Sequence, residues 1–460
     1  MKMYKNTIEQ QKNFFKTGIT KDVNFRIKML KSLKKTLLKY ENDILDILEK
    51  DLSRSKVMSY QVEMLPILQE IDYFIKNTKK LSNIKKKKTP LMFLGYKSYE
   101  IKEPYGVCFI ISPWNYPFLL TISPLVGAIA TGNCAIIKPS EHSIHSSNLI
   151  KKIIEETFKD KYCKVILGDA DVVENIIDNE VDFIFFTGGT HIGKIIMERA
   201  SETLTPVALE LGGKSPCIVD KDVDLDEAAK RIVWGKTLNA GQTCIAPDYL
   251  LVDSSIKDNL IKKIVFYTEK LWGDDILNNE AYPKIINDKN FNRILNFLGD
   301  GDILYGGKYN RQNLKIEPTY ITNISMNSSI MKEEIFAPIL PIIPYDNIDN
   351  IYNIVEYNKN PLAMYVFSKN DKFIKKLIFS IPCGNACIND TILQVANHNI
   401  PFGGRGTSGI GVYHGKYSYD LFSHKKGVLN ASKIVKSKVR YRNTDNINFI
   451  IKLLRKIKVI

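Results

Sequence analysis

The sequence predicts an α/β protein built on parallel sheet, and three observations carry that prediction. Short apolar runs, Val107 to Ile111, Ala135 to Ile137, Lys164 to Leu167 and Val181 to Phe186, alternate with stretches of helical spacing, as parallel strands joined by crossover helices do. The run Val181 to Lys194 passes from such a strand through Thr187-Gly188-Gly189 into a helical segment, which would aim helix-terminal N–H groups at a pyrophosphate. A chain of 460 residues that is 44% hydrophobic can bury a large core in two or three domains.

The first eighty residues read as helices. Ile27, Leu30, Leu33, Leu37 and Leu38, then Ile44, Leu45, Ile47 and Leu48, fall at helical spacing among charges, which predicts a packing layer. A lysine run, Lys85 to Lys88, leads to Thr89-Pro90 and a strand-like stretch from Tyr96 to Ile101. After the Val107 strand, two prolines in Ser112-Pro113-Trp114-Asn115-Tyr116-Pro117 stiffen a turn and hold the Asn115 amide, which can then serve an oxyanion. Lys138 and Glu141 follow a buried strand three residues apart; they suit the hydroxyls of a nucleotide ribose, or form a surface ion pair.

Two further residues point to covalent chemistry. Glu210 ends the apolar run from Val207 beside Gly212-Gly213, where burial should raise its pKa. Cys244 sits among small and amide-bearing residues in the segment Thr237 to Pro247, which leaves its sulfur reachable. Together they read as a nucleophilic thiol and its base.

Composition narrows the classes. The formal net charge of +15 is spread through a chain rich in Lys, Asn and Ile, so no nucleic-acid partner is expected. Seven cysteines, odd in number and scattered, argue for a reducing compartment, and Cys383 with Cys387 lacks a second ligand pair; no metal is assigned. Met1 to Thr20 is polar and no run reaches eighteen apolar residues, so a cytoplasmic protein is expected. Near the end, Ile450, Leu453, Leu454 and Ile457 form one stripe among Lys452, Arg455, Lys456 and Lys458. This basic amphipathic tail suits an anionic membrane surface, its own subunit or a partner subunit.

The runs Leu209-Glu210-Leu211-Gly212-Gly213-Lys214-Ser215-Pro216-Cys217 and Gly241-Gln242-Thr243-Cys244-Ile245-Ala246-Pro247-Asp248-Tyr249 resemble the aldehyde dehydrogenase superfamily, in its class 3-like branch, and the likeness extends from about Arg26 to about Val428. The resemblance implies a Rossmann-type NAD-binding domain (1–81 and 104–211), a second α/β catalytic domain (212–418), a small β bridging arm (82–103 and 419–436) and the tail (437–460). It further implies NAD(P)-dependent oxidation of aldehydes to carboxylic acids by way of a thiohemiacetal and an acyl-thioester on Cys244. Asn115 and the Cys244 N–H would hold the oxyanion, and Glu210 would activate the releasing water.

For the cofactor, NAD with NADP also open, the family pattern places Lys138 and Glu141 at the adenosine ribose. Gly188 and Gly193 fall at the pyrophosphate, Glu334 at the nicotinamide ribose and Phe336 against the ring. Gly189 stands where relatives mostly have serine, and Ala337 replaces the usual glycine. Tyr116, Trp234, Ile392 and Phe402 would line an apolar tunnel for medium or long aliphatic or aromatic aldehydes, with His414 lining or supporting it. Relatives without an amino-terminal extension imply a homodimer. A coenzyme A-acylating dehydrogenase and a non-catalytic relative remain the alternatives; the presence of Glu210 weighs against the first, and that of Cys244, Asn115 and Glu210 together against the second.

Overall fold

The computed structural model describes residues 2–90, 93, 95–431, 452 and 455; apart from those last two residues, the tail 437–460 lies outside the described residues. The amino-terminal helices are α1 (Lys2–Lys16), α2 (Val23–Lys39), α3 (Glu41–Leu52), α4 (Lys56–Ser59) and α5 (Leu65–Leu81), with a π-helical turn at Tyr60–Met64. They form because the apolar stripe repeats at 3.6 residues and fully buries Leu30, Leu33, Leu37, Ile44 and Leu48. Leu38 was counted in that stripe but is 46% exposed, so the contact is narrower than the spacing suggests. Asp22 caps α2 by accepting from Asn24 N.

Two short strands, β1 (Lys85–Lys87) and β2 (Lys97–Pro104), precede the first large sheet, whose strands are β3 (Val107–Ile111), β4 (Cys134–Lys138), β5 (Cys163–Val165), β6 (Phe183–Thr187) and β7 (Val207–Glu210). These five run parallel in the order β7-β6-β3-β4-β5. Crossovers are made by α6 (Leu119–Thr131), α7 (Ile144–Thr157), α8 (Ala170–Ile177) and α9 (Thr190–Glu202). Covered on both faces, β3, β4 and β6 are buried at every residue, which is why they read as continuous apolar runs without alternation.

The second sheet holds β8 (Pro216–Val219), β9 (Tyr249–Asp253), β10 (Asp302–Tyr305), β13 (Thr319–Thr322), β14 (Ile339–Tyr345), β15 (Ala363–Phe367) and β16 (Asn385–Ile388) in the order β10-β13-β14-β9-β8-β15-β16. All neighbours are parallel except β10 with β13. A minor hairpin of β11 (Tyr309–Asn310) and β12 (Lys315–Ile316) stands apart. The helix α10 (Leu225–Thr237) links β8 to the segment before β9. The chain then returns: β17 (Gly409–Ile410) pairs antiparallel with β7, and β18 (Ser423–Asn430) pairs antiparallel with β2 to make a three-stranded arm with β1. Phe422, at the root of β18, is fully buried and stacks on Phe185 with ring centroids 5.6 Å apart, and its carbonyl accepts from Asn133 Nδ2 at 2.8 Å. Burial of that ring, worth about 1.5–3 kcal/mol, anchors the arm to the first sheet. Among the described residues no helix is long and apolar enough to cross a membrane.

Candidate active site

The loop carrying Cys244 is set by its backbone. After α10, Asn239, Ala240 and Gly241 take φ of 52°, 51° and 71°, three left-handed residues in succession, and a non-glycine residue there costs roughly 1–2 kcal/mol. Gly241 is required by close approach as well, since a Cβ would lie 2.2 Å from the Ala337 carbonyl oxygen. The Gln242 side chain staples the loop: Nε2 donates to the Asn239 and Lys284 carbonyls at 3.0 and 2.9 Å, and Oε1 accepts from Ile286 N at 3.0 Å. Asn115, 2% exposed, donates from Nδ2 to the Gln242 carbonyl at 3.0 Å. Its amide retains a second N–H, and its Oδ1 has no partner.

A cavity of about 860 Å³ brings together Asn115, Gly188, Glu210, Cys244, Glu334 and Phe336 of the residues singled out in the sequence. It opens at the carboxyl ends of β3, β6 and β7, the usual ligand position of a parallel sheet. Thr187 and Glu210 are paired neighbours on β6 and β7, and Gly188 N donates to the Glu210 carbonyl at 3.0 Å. Helix α9 starts at the cavity with Gly189 as its cap and no side-chain bond to its first-turn N–H groups.

The other expected cofactor residues lie outside this lining. Lys138 and Glu141 pair with each other at the end of β4, the lysine buried and the glutamate open. Gly193 is one turn into α9, where a Cβ would meet Leu211 at 2.6 Å, so its smallness serves helix-to-sheet packing. Within the lining, Phe336 has φ 50° and meets Trp114 edge-on at 5.6 Å. Ala337, in the position of the usual glycine, is fully buried.

Desolvation dominates the electrostatics. Glu210 is 3% exposed with no partner for either carboxylate oxygen, and burial pushes its pKa well above the carboxylate range. The Cys244 thiol, partly open to the cavity, is also pushed up, first by desolvation and then by the charges of Glu334 and Glu210. Glu334 is raised to about 8 by desolvation and by Asp248 nearby, against the pull of Gly213 N–H, Lys214 and Arg293. Burial thus disfavours the charged form of all three groups.

The expected tunnel residues are placed apart from this lining. Tyr116 is buried and its hydroxyl bonds Thr243 Oγ1 at 2.5 Å; Trp234 packs partly buried against the main core; Ile392 is 6% exposed with φ 64°. Phe402 bridges to Tyr413 and lies 5.8 Å from the His414 ring. His414 is buried with both ring nitrogens unpartnered, and desolvation lowers its pKa to about 4. Glu70 backs this wall, bonding His398 Nδ1 and accepting from Gly415 N at 2.9 Å.

Several lining residues were not singled out from sequence. Lys214 is held by Asp248 and donates to the Ile330 and Glu333 carbonyls at 2.7 and 3.0 Å; it lies within a run already quoted, and its burial was the missing clue. Arg293 donates to the Ile335 carbonyl at 2.9 Å. At Gly212 a Cβ would come 2.0 Å from a Glu334 oxygen, so this glycine makes room for the carboxyl. Thr187 contributes a buried hydroxyl without a partner.

The Glu334 shift has a sign that can be measured. Its folded pKa of about 8 lies above the ordinary 4.5, so the folded state holds a proton that the unfolded chain releases. Its contribution to stability is full below 4.5 and is lost as pH rises through about 8. In thermal melts from about pH 5 to 9, Glu334→Gln should lose less Tm with rising pH than the parent; parallel curves would show that Glu334 titrates normally.

Comparison with known proteins agrees with this architecture. The model of the aldehyde dehydrogenase family matches residues 2–428. The chain is 43% identical to 4,4'-diaponeurosporen-aldehyde dehydrogenase of Staphylococcus aureus, over 94% of this chain and 96% of that protein. It is 39% identical to the dimeric NADP-preferring aldehyde dehydrogenase of Canis lupus familiaris, over 93% and 95%. The solved substrate-bound state of Staphylococcus aureus AldH superposes with a TM-score of 0.96 at 41% identity, covering 99% of this chain and 100% of that one. The chain therefore belongs to the aldehyde dehydrogenase family and is an NAD(P)-dependent enzyme that oxidises aldehydes.

Proposed function

We propose that this enzyme oxidises apolar aldehydes, medium or long aliphatic chains and aromatic ones, to carboxylic acids through an acyl-thioester on Cys244. The observation that carries the reading is the convergence of the Cys244 sulfur, the Asn115 amide and the unpaired Glu210 carboxyl on one cavity. Bound NAD(P) would supply the hydride acceptor. The residues present fit it: the uncapped start of α9 offers N–H groups for the pyrophosphate, Glu334 offers a carboxyl for the nicotinamide ribose, and Phe336 a ring. Lys138 and Glu141 at the end of β4 suit the adenosine ribose, where a carboxylate favours NAD while NADP is also accepted. Gly189 has open space around a notional Cβ, so the absent serine hydroxyl costs a contact and no packing.

In the chemical steps Cys244 gives up its proton to solvent, its thiolate sulfur attacks the aldehyde carbon, and the new oxyanion is held by the free Asn115 N–H and the backbone N–H of Cys244. Loss of hydride from that carbon leaves the thioester. Glu210 then takes a proton from water as it attacks the thioester carbonyl, releasing the acid and the Cys244 thiol. A raised pKa suits Glu210 to this step, because a carboxylate whose pKa is raised is a stronger base than an ordinary one. In this reading Tyr116, Trp234, Ile392 and Phe402 supply the apolar tunnel for that substrate class, with His414 kept neutral by burial. The two large sheets support a cofactor domain of 1–81 with 104–211 and a catalytic domain of 212–418. The arm of β1, β2 and β18 supports a homodimer.

The experiment is NADH formation from straight-chain aldehydes of increasing length and benzaldehyde. Activity should rise with chain length in the parent. Cys244→Ser should abolish it, and Asn115→Ala should lower kcat by roughly 10²–10³; full activity of Cys244→Ser would remove the covalent mechanism. Restoring the hydroxyl with Gly189→Ser should lower KM for NAD roughly fivefold, the worth of about 1 kcal/mol from one hydrogen bond, and an unchanged KM would place the pyrophosphate elsewhere.

A further inference from the structure

We infer that the buried Arg54 and Glu63 pair of the amino-terminal helical layer is the positioning device that registers the Asn115 loop against the Cys244 loop. The inference rests on the catalytic roles proposed above. Both side chains are 0% exposed and pair with each other. Arg54 donates from Nε to Ser59 Oγ at 3.2 Å, and from Nη1 to the Asn115 carbonyl at 3.3 Å and to Asn239 Oδ1 at 3.5 Å. Asn239 Nδ2 in turn donates to the Asn115 carbonyl at 3.1 Å and to the Gln242 carbonyl at 3.2 Å. The guanidinium lies 5.1 Å from the centre of the Tyr116 ring. One cation thus touches the loop after β3 and the loop after α10, which descend from different sheets.

Glu63 completes the frame. While one oxygen holds Arg54, the other accepts from Phe118 N at 2.8 Å and Leu119 N at 2.9 Å, fixing the downstream end of the same Asn115 loop at the start of α6. Glu63 lies in the π-helical turn Tyr60–Met64, a widened turn of the kind that recurs at functional sites. Stability alone is a weak reason for such a pair, because apolar residues of similar volume usually serve a core as well. Every side-chain hydrogen bond of the pair beyond itself and Ser59 falls on the two loops or the start of α6. Arg54 is not among the cavity-lining residues, so it acts through Asn115 and Asn239 and is a positioning residue.

A double-mutant cycle tests this in the full-length enzyme, with kcat and KM for NAD measured for Arg54→Met, Asn115→Ala and the pair of substitutions. Arg54→Met should lower kcat by about 10², the effect of roughly 1 Å of misplacement, with KM for NAD within about twofold of the parent, and Arg54→Lys should recover most of the loss. Because Arg54 works through Asn115, the double variant should be no slower than Asn115→Ala alone. Losses that multiply would overturn the inference, as would a parent-like kcat in Arg54→Met. A parent-like kcat in Asn115→Ala would instead overturn the oxyanion role on which the inference rests. Should Arg54→Met fail to fold, the cycle is run with Arg54→Gln, which stays polar but loses the charge and the fork; multiplicative losses there overturn it equally.

Discussion

The hydrogen bond from Asn115 Nδ2 to the Gln242 carbonyl, 3.0 Å long, joins a turn leaving the first sheet to a loop entering the second. The active-site geometry depends on that junction. Each side is stiff for its own reason: the Asn115 turn is framed by Pro113 and Pro117, and the Cys244 loop is bound into three left-handed residues and stapled by Gln242. A left-handed alanine at position 240 is a local cost. It persists because Gly241 is wedged against Ala337 and the Gln242 amide is fully bonded.

Dryness is the second constraint. The burial that lifts Glu210 also lifts Cys244 and Glu334, and each carboxylate charge further disfavours the thiolate. The same low-polarity setting strengthens any N–H aimed at a developing oxyanion.

Much of this was legible in the sequence where the cause is local. Strand runs such as Val107 to Ile111 and Val181 to Phe186 were visible because both faces of the sheet are covered, and Glu210 was visible because an apolar run ends on it beside two glycines. Arg54 with Glu63 and Glu70 with His398 were not, since a pairing of side chains inside the fold leaves no periodicity in the chain. Lys214 was quoted as part of a motif without its burial against Asp248 being foreseeable. Leu38 shows the converse: helical spacing marks a stripe, but only packing decides how wide the buried part is. Spacing does not mark Glu334 and Phe336; only the resemblance to aldehyde dehydrogenases does.

The most direct test of the central claim is a single-turnover experiment with Glu210→Gln, following NADH release and the intact mass of the protein after mixing with aldehyde and NAD. The account requires a burst of about one NADH per active site and an acyl adduct on Cys244 that decays slowly. Steady turnover at the parent rate, or a burst without an adduct, would contradict it.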